Sequence, residues 1–288
     1  MENKKKNKRI RILILFIAVC LIPIGQAYCI SVQHKVQQKE MKESVKKQEE
    51  NSGLPEKTKE VAGQEKTGQQ DTEVSGEPDK TGQEETEQKE TEQKEPVMLA
   101  QYADLYEKNS HMAGWLSIEG MNIDYPVMQC ENDDYYLHHD FYGNEDKYGC
   151  LYVRKIADVN TPGTNFIIYG HNMKDGSMFG DLDLYRNADF YLEHPLISFD
   201  TLYEERTYEI MAVFLSRVYY SDEEVFKYYQ FYQADTQEEF DRFYENVKKL
   251  SLYDTGVTAE FGDTFLTLST CAYHVKDGRL AVVAKRIE

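Results

Sequence analysis

The chain has 288 residues, and its 51 acidic side chains against 33 basic ones give a formal charge of −18. An excess of that size repels nucleic-acid phosphates and anionic membrane surfaces alike, which excludes wholesale binding to either as its purpose. The length allows one large domain or two small ones, but only part of the chain has the apolar content that a core requires.

The first eleven residues run against the overall charge, with Lys4, Lys5, Lys6, Lys8, Arg9 and Arg11 facing only Glu2. Residues 12–32 (ILILFIAVCLIPIGQAYCISV) are almost continuously apolar. About 20 helical residues at 1.5 Å each match a hydrocarbon core of roughly 30 Å. With the basic flank before it, this segment reads as a single-pass membrane anchor whose N-terminus (1–11) is cytoplasmic and whose downstream chain is extracellular. A cleaved signal peptide shares the basic start, but the apolar stretch is long for one and no A-x-A site follows.

Residues 33–97 are rich in Glu, Gln, Lys, Thr and Gly and contain the near-repeat TEQKE at Thr86–Glu90 and Thr91–Glu95. Such a stretch cannot bury enough apolar surface to offset its conformational entropy, so it is expected to be a disordered or partly helical polar tether. As a flexible coil it would span roughly 45 Å between its ends. From residue 98 to 288 the composition turns aromatic and aliphatic, and every tyrosine except Tyr28 lies there. This is the catalytic-domain candidate, long enough for one hydrophobic core.

Within it, Leu99, Tyr102, Leu105 and Tyr106 recur at helical spacing and predict an N-terminal helix to about Ser110. Strand-like runs follow at Gly114–Glu119, Asn122–Met128, Tyr148–Arg154, Asn165–Tyr169, Thr207–Tyr219, Thr264–Thr270 and Leu280–Ile287, separated by Gly, Asn, Asp and Pro turn signals. So many short strands predict a mainly β barrel or sandwich with inserted helices. One long helix interrupts them: Asp235 with Glu238 suggests a capping box, and Phe240, Phe243, Val247 and Leu250 share a face.

Three residues stand out chemically. His171 closes the apolar strand Phe166–Gly170 and opens a polar stretch, a strand-exit setting typical of active sites and one that His111, His138, His139 and His274 lack. Cys271 ends the run Phe265–Thr270, where alternation puts Leu266 and Leu268 on one face and Thr267, Ser269 and Cys271 on the other, so the thiol leaves the strand on its polar side. Arg279 opens the next apolar strand, and a turn around Asp277-Gly278 would return it toward Cys271, where a guanidinium can favour a thiolate or hold an oxyanion. Taken alone, Arg279 also fits a surface arginine at a strand start.

The remaining cysteines are quieter. Cys20 and Cys29 lie in the apolar segment as small hydrophobes. Cys130 and Cys150 either pair or stay as free thiols, the latter being the simpler reading, which leaves Cys271 as the odd external cysteine. Cys271-x-x-His274 could be half of a metal site, but no second ligand pair stands at metal spacing. Nothing calls for a cofactor, and no calcium-type carboxylate cluster is evident.

Five stretches, GWLSI at Gly114–Ile118, IDYPVMQ at Ile123–Gln129, YGHNM at Tyr169–Met173, MFGDL at Met178–Leu182 and TLSTC at Thr267–Cys271, together resemble the class B sortases, in order and at suitable spacing over Leu99–Ile287. The resemblance implies an eight-stranded sortase-type β-barrel with a long helix before the cysteine strand. It also implies an extracellular, membrane-tethered cysteine transpeptidase that cleaves a C-terminal sorting signal (NPxTx- or xPxTG-like) after Thr and transfers the protein to a cell-wall amine.

Cys271, His171 and Arg279 match the family's nucleophile, general acid/base and oxyanion-stabilising residue, and Tyr169 and Ser269 fall where the family lines its substrate groove. The implied partners are surface proteins bearing the signal, a peptidoglycan-precursor amine and the cell membrane. One departure is the segment Glu131-Asn132-Asp133-Asp134, in which a groove asparagine is shifted by one residue. A secreted cysteine peptidase acting by hydrolysis, a pilus-assembling sortase and a silent binding module on a stalk are the alternatives to be separated by experiment.

Overall fold

The computed structural model of the chain describes residues 30–51 and 96–288. The basic N-terminus, nearly all of the apolar segment 12–32 and the repeat-bearing part of the tether lie outside the described residues. Among the described residues no helix is long and apolar enough to cross a membrane.

The described chain opens with a helix, α1, over 30–51. Then follow α2 (Ala100–Lys108), β1 (Met112–Ser117), β2 (Asp124–Met128), β3 (Leu151–Val153), β4 (Asn165–Tyr169), α3 (Ala188–Glu193), β5 (Leu196–Thr201), β6 (Thr207–Arg217), α4 (Gln237–Leu250), β7 (Phe265–Cys271) and β8 (Gly278–Arg286). The eight strands close into a barrel in the order β1-β2-β3-β4-β7-β8-β6-β5. Seven of them fall on the predicted runs. The eighth, β5, carries a clean alternation in which Ile197, Phe199 and Thr201 are buried, but six residues interrupted by Ser198 and Asp200 give a weak signal after His194-Pro195.

Strand alternation produces two apolar layers from the same strands. Inward-facing residues such as Val127, Ile168, Leu266, Leu268, Ile210 and Val282 fill the barrel. Their outward neighbours Phe214, Phe265, Ala281 and Val283 are buried as well, because α4 lays Phe240, Phe243 and Val247 over them. The α4 cap sits one residue later than predicted. Thr236 accepts from the Glu239 amide, and Glu239 Oε2 accepts from the Asp235 amide, so the box is Thr236 with Glu239. Phe243 stacks on Phe231 at 4.0 Å and meets Phe226 and Phe265.

A third layer comes from the described part of the polar segment. Residues 33–51, assigned to the tether by composition, are helical and docked: Met41 and Val45 of α1 are buried with Tyr102 and Leu105 of α2, Trp115 and Tyr136. His34, Met41 and Val45, seven and eleven residues apart, repeat on one helical face. So few anchors in a Lys-, Glu- and Gln-rich stretch leave its average composition polar, which is why composition alone misses the docking.

Two stability predictions follow from these contacts. Phe243→Ala should cost about 3–5 kcal/mol of unfolding free energy by urea titration, since three aromatic neighbours lose their partner. At the barrel end, Glu204 accepts from Arg206 (2.7 Å) and from Arg286. Burial alone would raise its carboxyl, but these bonds and charges outweigh it and hold it below its ordinary value. A depressed carboxylate contributes stability at neutral pH that is lost as pH falls through the folded-state value. Glu204→Gln should therefore lower Tm at pH 7, and the gap to the native protein should close on acidification.

Candidate active site

Three neighbouring strands carry the residues singled out above. β4 and β7 run parallel with Tyr169 opposite Ser269. Their pairing continues past the strand end: the Gly170 amide donates to Ser269 O (3.3 Å), Thr270 Oγ1 donates to Gly170 O (2.8 Å), and Asn172 Nδ2 donates to Cys271 O (2.8 Å). His171 thus leaves β4 alongside Cys271. On the other side β7 and β8 are antiparallel with Cys271 directly opposite Arg279, a pairing that puts both side chains on one face with Cβ atoms roughly 4.5–5.5 Å apart. All three side chains are half-buried.

Two glycines permit this closeness. A Cβ on Gly170 would stand 2.4 Å from Leu151 Cδ2 and 2.8 Å from the Phe179 ring, and one on Gly278 would stand 2.1 Å from the Ala272 carbonyl oxygen. The turn between β7 and β8 is closed by the Ala272 amide donating to Gly278 O at 2.9 Å, which is the return predicted around Asp277-Gly278.

The polar partners fix the chemistry available. His171 Nε2 lies 2.8 Å from the Leu137 carbonyl. A carbonyl only accepts, so Nε2 carries the hydrogen and Nδ1 is the nitrogen free to exchange a proton. Arg279 Nη1 donates to Gly278 O at 2.9 Å, which folds the guanidinium onto the turn. Tyr152 and Tyr169, paired on β3 and β4, stack at 5.5 Å. Burial pushes the Tyr152 and Tyr228 phenols up to about 12, although the positive charge of Arg279 pulls both back a little. Burial raises Tyr169 further. These phenols stay neutral at physiological pH and offer hydrogen bonds without competing charge.

Tyr169 and Ser269 differ in exposure. Tyr169 is half-exposed, but Ser269 is only 2% exposed and its hydroxyl pairs with Tyr228 Oη at 2.7 Å. The polar face of β7 is therefore not open along its length: Thr267 bonds Asn165 Oδ1 (2.8 Å) under the segment between β6 and α4, and only the last residue, Cys271, clears that cover. Asn132 is used locally, its Oδ1 accepting from the Asp134 amide. Sequence reasoning missed Asn172, legible only as the neighbour of His171, and Tyr152 and Tyr228, whose positions carry no motif.

Comparison with known proteins agrees with this architecture. The sortase domain family model matches residues 116–287. A sortase B of Listeria monocytogenes is 34% identical over 195 residues, covering 64% of this chain and 73% of its own. The crystal structure of sortase B from Bacillus anthracis in complex with AAEK1 aligns with a TM-score of 0.59 at 32% identity, over 68% of this chain and 88% of that one. A Staphylococcus aureus sortase B–substrate complex aligns with a TM-score of 0.60 at 26% identity, over 66% and 86%. A closed eight-stranded barrel with a thiol at the end of β7 defines a sortase-type cysteine transpeptidase. The chain belongs to the sortase family, and its likeness is to class B.

Cys130, Cys150 and Cys271 are free thiols. Burial pushes the Cys150 thiol well up, so it is the least reactive of the three. Brief iodoacetamide treatment of the native protein with peptide mapping should label Cys271 and leave Cys150 unmodified until denaturant is added.

Proposed function

We propose that Cys271 is the nucleophile, His171 the general acid and base and Arg279 the oxyanion or substrate-carbonyl ligand of a transpeptidase acting on C-terminal sorting signals. The direct pairing of Cys271 with Arg279, with His171 leaving the adjacent parallel strand, is the observation that carries this reading. The thiolate attacks the carbonyl carbon of the signal's Thr, and the bond from that carbon to the next residue's nitrogen breaks as protonated His171 gives its Nδ1 proton to the departing amine. A thioester to Cys271 remains. An incoming amine attacks it, His171 takes that amine's proton, and the thiolate leaves as the new amide forms.

Arg279 serves the tetrahedral step by leaving the turn carbonyls it now binds and donating to the oxyanion, where an aligned charged donor gains most. A signal of NPxTx or xPxTG type and a cell-wall amine as acceptor complete the reading. The basic flank and apolar run of residues 1–32 support a membrane anchor with the barrel outside the cell.

The test is product analysis by mass spectrometry with peptides of both signal types, with and without an amine acceptor. Cleavage after Thr with an amine-dependent ligated product is expected. Cys271→Ala should abolish it, and Arg279→Lys should lower kcat about a hundredfold. Hydrolysis that ignores the amine would instead identify a peptidase, and full activity in Arg279→Lys would remove the arginine from the mechanism.

A further inference from the structure

The carbonyl that holds His171 belongs to a loop that α1 clamps. Three successive carbonyls of this loop, between β2 and β3, have three different partners: Tyr136 O accepts from the Cys150 amide (2.9 Å), Leu137 O from His171 Nε2 (2.8 Å) and His138 O from the Asp146 amide (2.8 Å). Gly149, at φ +57°, packs so closely that a Cβ there would lie 2.4 Å from Tyr136 O and 2.9 Å from Leu137 O. The Leu137 carbonyl is thus gripped on both sides by residues 146–150.

That segment is in turn held from outside. His34 of α1 is 3% exposed, its Nδ1 lies 3.2 Å from Asp146 Oδ2, and its ring stacks on Tyr148 at 4.3 Å. Three residues on, Gln37 Nε2 donates to Asp140 Oδ2 at 3.1 Å, on the carboxylate whose other oxygen accepts from the Tyr142 and Asn144 amides. Tyr148 Oη reaches Asp175 Oδ2 at 3.2 Å, in the segment that follows His171. The segment after His171 is thus tied, through Asp175, to the Tyr148 side chain that His34 covers.

We infer that His34 is a positioning residue for the transpeptidation: through Asp146 and Tyr148 it fixes the loop whose Leu137 carbonyl holds His171 Nε2–H and so presents Nδ1 to the reaction. The inference rests on His171 being the acid and base. It makes the first docked turns of the segment after residue 30 part of the catalytic machinery, although they touch no reacting atom.

The experiment compares the full chain in detergent with His34→Ala, His34→Gln, Asp146→Asn, His34→Ala/Asp146→Asn and His171→Ala, measuring Tm for each, and kcat and KM at a temperature below every variant's unfolding transition. His34→Ala should lower kcat about tenfold or more with KM within about twofold. His34→Gln, which can still donate to Asp146, should restore most of the rate, and the double variant should lose clearly less than the sum of the two single losses. A lower Tm with kcat unchanged would make α1 purely structural and overturn the inference, as would additive losses in the double variant. Activity retained in His171→Ala would overturn the catalytic assignment itself, which separates the two failures.

Discussion

The site depends on one constraint: the parallel pairing of β4 with β7, strands about a hundred residues apart in sequence that end at the same height. Parallel neighbours place their C-terminal ends together, so whatever follows both strands meets at one rim of the barrel. β8 then returns antiparallel on the far side of β7 and delivers its second residue, Arg279, to the same rim. Three side chains with no proximity in sequence become neighbours through backbone register alone. Thr270 and Asn172 fasten the rim by bonding across the β4–β7 seam, which limits how far the two strand ends can slide.

The outer layers decide which part of that rim is open. α4 and the segment between β6 and α4 bury the outward face of β7 up to Ser269, using Phe240, Phe243 and Tyr228. Cys271 lies just beyond the covered stretch, so one strand supplies a buried, hydrogen-bonded polar ladder and then an accessible thiol. On the other side of the barrel, α1 and α2 share a layer with Trp115 and Tyr136. That layer borders the loop whose Leu137 carbonyl meets His171, a contact that leaves no trace in any residue pattern.

Legibility in the sequence follows from how local each signal is. β4 is read to the residue and β7 to within one, since apolar runs bounded by Gly and by the chemistry-bearing residues mark both. The burial of Ser269 is not legible: alternation tells which face a residue shares, not whether a distant insertion covers that face, and Tyr228 comes from such an insertion. The same limit applies to α1, where His34 sits in a charged stretch and acquires meaning only from Asp146, 112 residues away. The shift of the α4 cap from Asp235 to Thr236 is smaller in kind, because adjacent Asp and Thr are both competent caps and backbone geometry chooses between them.

The register argument is tested most directly by a crystal structure of the protein treated with a sorting-signal peptide that carries a thiol-reactive group in place of the scissile bond. The account predicts a covalent bond to Cys271 Sγ, the Arg279 guanidinium swung from the Gly278 carbonyl onto the peptide carbonyl, and His171 beside the adduct with Nε2 still on Leu137 O. An adduct on Cys130, or Arg279 still folded on the turn with the peptide in place, would contradict it.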